Sequence, residues 1–283
     1  MQILQELKHY LDSLGYQKST KSMIVNGVKE YLTFTDYENN LRLTTTAEAI
    51  KTYHKHLQLR PNKRTGGGLS ESYINHQVYS LKVFFEWLVT LEQIEFNPMA
   101  ELSFKSPSKK PRKILSIAEV KELYKVSETY LERAVLGLYY GCGLRRSEGI
   151  DLQISDIHFS KGFLYVKSGK FNKRRTIPLS TQVKEDLKNY LVLERDAPYL
   201  THYLLNQNHE KISGDTCNKL LKKLLLKADL ETNISLHNLR HSIATHLLNS
   251  GMSLEYVQSF LGHSSLETTQ IYTRVDNEKL LEL

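Results

Sequence analysis

The sequence holds only two cysteines, Cys142 and Cys217, far apart along its 283 residues. They form no CxxC pair and no disulfide framework, which points to a reducing compartment. No window approaches the roughly 18 consecutive apolar residues of a membrane span, so no membrane partner is expected. The N-terminal stretch MQILQELKHYLDSLGYQKST is charged throughout and lacks the uninterrupted apolar run of a signal peptide; a cytoplasmic protein is expected. There is no internal repeat and no low-complexity tract. Metal ligands do not converge either. His237 and His241 are four apart, but Asn238 stands where a zinc-protease helix carries its glutamate, and no cysteine or carboxylate completes a set. Neither a metal nor another cofactor is expected.

What is present suits a globular chain. The 40% hydrophobic content can bury a sizeable core, 24% charged residues is ordinary, and the length suits two domains. Lys and Arg number 38 against 31 Asp and Glu, a net charge of +7, which favours a polyanionic partner without identifying one. The excess is uneven. Up to Pro107 there are 12 basic and 11 acidic residues; the remainder has 26 and 20.

The first hundred residues read as helices. In SESYINHQVYSLKVFFEWLVTLEQIEFNP, Ile74, Val78, Leu81, Phe84, Phe85 and Leu88 share one helical face, Ser70 is placed as N-cap, and Asn97-Pro98 stops the following segment. An earlier helix covers KSTKSMIVNGVKEYLTFTDY with Met23, Ile24, Val28, Tyr31 and Leu32 inward, and another opens at a threonine cap ahead of Glu48. RPNKRTGGGLS between them is expected to be a flexible basic loop. KSPSKKPRK, from Lys105 to Lys113, has five basic residues, two prolines and no acid. Proline fixes φ and removes a donor, so this is an extended linker; it reads equally as a solvated hinge and as a basic strap along a phosphate backbone. After it, Ser116 and Glu119 have capping-box spacing. The remainder is mixed: an apolar helix ERAVLGLYYGCG closed by glycine, a β-hairpin in GFLYVKSGKFNKRRTIPLS, then helices in STQVKEDLKNYLVLE and TCNKLLKKLLLKADL.

Three segments carry chemistry. HNLRHSIATHLLNSGMSLEYVQSFLGHSSLETTQIYT, from His237 to Thr273, packs four His, one Arg and two Tyr between apolar positions. YGCGLRRSEGIDL sets Arg145 after a glycine-rich turn at a helix start, where a guanidinium can fork onto two phosphate oxygens. KSGKFNKRRTIPL puts Lys167, Lys170, Lys173, Arg174 and Arg175 on the hairpin with no acid among them, suited to a nucleic-acid groove. Taken singly, each His or Tyr is more often structural. Together, two Arg and two His could surround a phosphodiester and stabilise charge on its oxygens. A Tyr hydroxyl could attack it, and a hairpin Lys could protonate the leaving oxygen.

These residues resemble the tyrosine recombinases, or phage-integrase family, over nearly the whole chain. The motifs that carry the resemblance are GCGLRRSEGIDL, HNLRHSIATHLLNSG and LGHSSLETTQIYT, with LSESYINHQVYSLKVFFEWLV and KKPRKILSIAEVKELY similar to the family's first domain and to the entry into its second. The resemblance implies an all-α, SAM-like core-binding domain over 1–104 that clamps DNA and a basic linker over 105–113. It further implies a mixed α+β catalytic domain over 114–283, mainly helical with a small β-sheet. Tyr272 would attack the scissile phosphate to give a 3′-phosphotyrosyl link, Arg145 and Arg240 would clamp the phosphate, and Lys170 would be general acid with Lys173 its nearest rival. His237 would assist proton transfer, His263 would bond the phosphate and help hold Tyr272, and Glu148 would be a structural partner. Arg146 also follows the Gly-Leu pair, but the family's pattern falls on Arg145. His241 and His246 are assigned to packing or DNA contact. Lys109, Lys110, Arg112, Lys113, Lys173, Arg174 and Arg175 are expected to contact DNA.

The implied partners are double-stranded DNA with a specific site, a tetramer of the chain on two duplexes, and an accessory protein where direction is controlled. Strand exchange would pass through a Holliday junction without ATP. The leucine-rich tail NEKLLEL reads as a segment docking on a neighbouring protomer or as a frayed terminus. The chain has no room for an arm-binding domain and lacks a longer basic C-terminal extension, which favours integration or excision of a mobile element over dimer resolution. A type IB topoisomerase and a catalytically silent DNA-binding protein are the competing classes.

Overall fold

The structure is a computed structural model that describes residues 2–36, 44–63, 66–104, 113–167, 174–195 and 202–262. The chain forms two compact units, Met1–Lys110 and Pro111–Leu283, each with its own apolar core.

The first unit is helical: α1 (Gln2–Ser13), α2 (Lys18–Phe34), α3 (Ala47–Leu59) and α4 (Glu71–Thr90). The caps expected from sequence are formed. Thr46 accepts from the Ala49 N–H and Ser70 from the Tyr73 N–H, both at 3.2 Å, each worth about 1 kcal/mol. Leu7 and Leu11 of α1, Ile24, Val28, Tyr31 and Leu32 of α2, Ile50, Tyr53 and Leu57 of α3, and Leu81, Phe84, Phe85 and Leu88 of α4 build the core. Met23 and Ile74 sit at its margin, partly buried. Helix α2 crosses α4 at Gly27, where a Cβ would fall 2.6 Å from Ser80 Oγ. The expected flexible loop is, among its described residues, a closed turn. Pro61 bridges Gly68, Asn62 N–H donates to the Gly67 carbonyl at 2.8 Å, and Gly66 and Gly67 take positive φ, which glycine adopts without strain.

The second unit contains α5 (Ile117–Lys125), α6 (Tyr130–Leu136), α7 (Arg146–Asp151), α8 (Thr181–Asn189), α9 (Gly214–Lys227), α10 (Leu236–Asn249) and α11 (Leu254–Leu261). The Ser116–Glu119 capping box of α5 is present in both directions. Strands β1 (Ile157–His158), β2 (Phe163–Val166) and β3 (Arg175–Pro178) form an antiparallel sheet in that order, with Leu164 opposite Ile177 and Val166 opposite Arg175. The β2–β3 pair is the expected hairpin; β1 and a two-stranded ribbon of β4 (Asn206–Gln207) and β5 (Glu210–Lys211) were not expected. Both cysteines are fully buried free thiols, pushed up by desolvation to about 12 for Cys142 and about 11 for Cys217. They act as small apolar core residues.

The glycine-closed helix ERAVLGLYYGCG ends differently from expectation. Helix α6 stops at Leu136 and runs into a π-turn, Gly137–Gly141, with Cys142 N–H bonded to the Gly137 carbonyl at 2.8 Å. Wider turns of this kind accommodate an extra residue in a helix. Gly143 follows with φ +57°, and a Cβ there would lie 2.9 Å from Leu261. A left-handed residue in close contact with α11 is what turns the chain into Arg145.

Candidate active site

Arg145 is the residue before α7, in extended conformation (φ −69°, ψ 155°). Its backbone N–H donates to Glu148 Oε2 at 2.8 Å and its guanidinium Nη1 to Glu148 Oε1 at 2.7 Å. Glu148, with 1% of its side chain exposed, also takes both arms of Arg175, at 3.0 and 2.8 Å. Arg240, on α10, lies 3.9 Å from the same carboxylate and is 2% exposed. Burial by itself would push the Glu148 carboxyl up. The Arg175 fork, its charge and the Arg145 N–H outweigh that and hold it at about 2, so Glu148 is a carboxylate at any physiological pH.

A second anchor lies at the end of α11, where carbonyls have no intrahelical partner and the helix dipole is negative. Three successive carbonyls there are each bonded by a different arginine. Phe260 O accepts from Arg175 Nε at 2.9 Å, Leu261 O from Arg240 Nη2 at 2.6 Å, and Gly262 O from Arg145 Nη2 at 2.7 Å. Arg240 Nη1 also bonds the Gly143 carbonyl. Gly262 takes φ +66°, ending the helix in the left-handed conformation. Three guanidiniums meet around one carboxylate and one helix end, leaving an excess of positive charge. Arg145 keeps 22% of its side chain exposed, and two of its five donors are engaged by side chain and carbonyl as described. An anion placed against it would meet a pre-set donor.

His237 is on the exposed side of α10, its ring 4.4 Å from that of the buried His241. His246 is buried and bonded through Nδ1 to the Tyr140 hydroxyl at 2.9 Å; desolvation lowers its pKa. Both His241 and His246 therefore pack in the interior. Arg146 is exposed and pairs with Asp215 at 2.9 Å, away from the cluster. Lys113 is half-buried, its ammonium 2.7 Å from Glu231 and its carbonyl accepting from Asn238. Arg174 is exposed.

Arg175 corrects an expectation. It is assigned above to DNA contact on the hairpin, yet it is buried, because β3 alternates inward and outward and Arg175 faces in. Lys109, Lys110, Arg112, Lys170, Lys173, His263 and Tyr272 lie outside the described residues. What sequence reasoning missed is the role of the α11 end. The αL glycine directly ahead of His263 was the available signal.

Comparison with known proteins gives this arrangement its class. Tyrosine recombinase XerA of Pyrococcus furiosus is 37% identical over 286 residues, covering 99% of this chain and 92% of the relative. Tyrosine recombinase XerD of Halalkalibacterium halodurans is 30% identical over 292 residues, 99% and 95% of the two chains. The chain is thus a site-specific recombinase of the tyrosine type. Residues 113–279 match the phage integrase family, and the chain belongs to that family. Two solved structures share the fold. The Tn1549 transposon integrase in complex with circular intermediate DNA has a TM-score of 0.73 at 20% identity, covering 95% of this chain and 94% of that one. XerH bound to its difH substrate has a TM-score of 0.68 at 21% identity, covering 91% and 76%.

Proposed function

We propose that this recombinase binds double-stranded DNA at a specific site and exchanges strands through a 3′-phosphotyrosyl intermediate. The observation that carries the reading is the convergence of Arg145 and Arg240, from two separate segments, on Glu148 and the end of α11, immediately before His263 in the chain. In this reading the two guanidiniums hold the non-bridging oxygens of the scissile phosphate and stabilise the charge that builds there. Tyr272 attacks phosphorus, the 5′ oxygen leaves with a proton from Lys170, and His237 and His263 assist at the phosphate. The 5′-hydroxyl of another strand then displaces the tyrosine, so the phosphodiester energy is conserved through a Holliday junction. Four copies on two duplexes carry this out. Residues 1–104 grip DNA opposite the catalytic unit, joined by the basic linker 105–113, with Lys109, Lys110, Arg112, Lys113, Lys173 and Arg174 contacting phosphates. The protein works in the cytoplasm, and an accessory protein sets direction where one is needed.

The first reading of its biological outcome is integration or excision of a mobile element. Dimer resolution by the same chemistry is the second, favoured by near full-length similarity to Xer-type relatives. A nicked duplex carrying a candidate site tests the chemistry. Wild type, and not Tyr272→Phe, should give a slower, protease-sensitive protein–DNA band on a denaturing gel. No band from wild type on DNA that it binds would point to a silent DNA-binding protein, and relaxation of a site-free supercoiled plasmid to a topoisomerase.

A further inference from the structure

The buried Arg175 has no place in the roles set out above. It is 9% exposed, and all three of its nitrogens are committed: Nη1 and Nη2 to the two oxygens of Glu148, Nε to the Phe260 carbonyl. Each of those acceptors belongs to something that fixes Arg145. Glu148 holds the Arg145 guanidinium at 2.7 Å and its backbone N–H at 2.8 Å. Phe260 lies two residues before Gly262, whose carbonyl holds the other arm of Arg145. A Cβ on Gly262 would stand 3.0 Å from the Arg175 guanidinium, so the αL turn of α11 rests directly on it. Lysine could not replace these contacts, because a single ammonium cannot fork onto a carboxylate and bond a carbonyl on the far side.

We infer that Arg175 is a positioning residue of the cleavage site: it acts through Glu148 and the end of α11 to set Arg145, and does not itself meet DNA phosphate. Without Arg175, Glu148 keeps Arg145 as its near partner but can rotate about its own χ angles, and the last turn of α11 loses one of its three arginine caps. The Arg145 fork then samples positions off the phosphate. The inference rests on the reading that the Arg145–Arg240 pair clamps a phosphodiester.

The test uses the full chain and two kinds of DNA. A labelled duplex of mixed sequence measures the salt dependence of binding. A nicked duplex carrying a site selected by the protein from a randomised pool measures single-turnover adduct formation at saturating protein. Variants are Arg175→Lys, Glu148→Gln, the double variant Glu148→Gln/Arg175→Gln, which removes the buried charge imbalance and keeps the chain folded if Arg175→Lys does not, and Arg174→Gln as an exposed control. Arg175→Lys should bind DNA with unchanged affinity and salt slope, while adduct formation falls about 10- to 100-fold, the scale of a small misplacement of a catalytic group. The double variant should fall no further than Glu148→Gln alone, because both changes break one chain of contacts. Arg174→Gln should lower the salt slope by about one with the cleavage rate at saturation retained. A salt slope lowered by about one in Arg175→Lys would make Arg175 a phosphate contact and overturn the inference, as would wild-type cleavage by Arg175→Lys and by the double variant. A wild-type chain that binds the selected site without any adduct defeats the recombinase chemistry instead, and the salt slope then decides the placement of Arg175 by itself.

Discussion

Each unit of this protein contains one glutamate gripped by arginine, and the two groups are built for opposite ends. Glu30 in the first unit accepts from Arg60, from the Tyr73 hydroxyl at 2.7 Å and from Gln77 at 3.3 Å, with 30% of its side chain exposed. One guanidinium balances one carboxylate, water reaches the pair, and neutral side chains fill the other bonds. Glu148 in the second unit is almost fully buried and shared among three guanidiniums. The first group is electrically closed and ties α2, α3 and α4 together. The second is electrically open: its carboxylate and the α11 carbonyls hold the cations in place without cancelling them. A balanced group holds a fold together, whereas an unbalanced one with an exposed edge attracts an anion.

The largest expected effect breaks the second group alone. Arg145→Ala and Arg240→Ala should each lower adduct formation by about 10²- to 10³-fold, the scale of losing one pre-set donor, while Arg60→Ala leaves the rate at saturating protein unchanged; quantified denaturing gels check this. Next, Glu148→Gln leaves buried cations uncompensated and should cost about 3–5 kcal/mol, whereas Glu30→Gln, half-exposed, should cost about 1 kcal/mol or less; urea titrations measure both. The acid side sharpens the contrast. A carboxyl held at about 2 instead of its ordinary 4.5 contributes stability that is complete above pH 4.5 and is lost as pH falls through 2. That difference amounts to about 3 kcal/mol, and a Glu148→Gln chain should lack this component of the acid transition. The smallest effect is at Arg146, whose exposed pair with Asp215 should change stability by about 0.5 kcal/mol or less on Arg146→Ala, with adduct yield unchanged.

Much of this was legible in the sequence. The helices of the first unit announced themselves by apolar spacing and by Ser70 and Thr46 at their starts, and Ser116–Glu119 marked α5. Arg145 could be placed because a glycine turn precedes it. Arg175 could not, since five cations in nine residues look alike until strand alternation decides which faces inward. The β4–β5 ribbon was hidden because its turn is Asn208-His209, both at positive φ, with no glycine to signal it. The carbonyls that cap the three arginines are backbone atoms, which no side-chain pattern displays.

The π-turn between Leu136 and Cys142 carries a consequence for length. Removing one residue from Gly137–Gly141 would let the segment relax into an ordinary helix, drawing everything after it back by about 1.5 Å and turning it by about 100°. Arg145 would then leave Glu148 and the Gly143 carbonyl would leave Arg240. Side chains along this stretch can be exchanged for others of similar bulk, but the number of residues cannot change: the segment works as a gauge block, and the spacing it sets is the distance between two arginines.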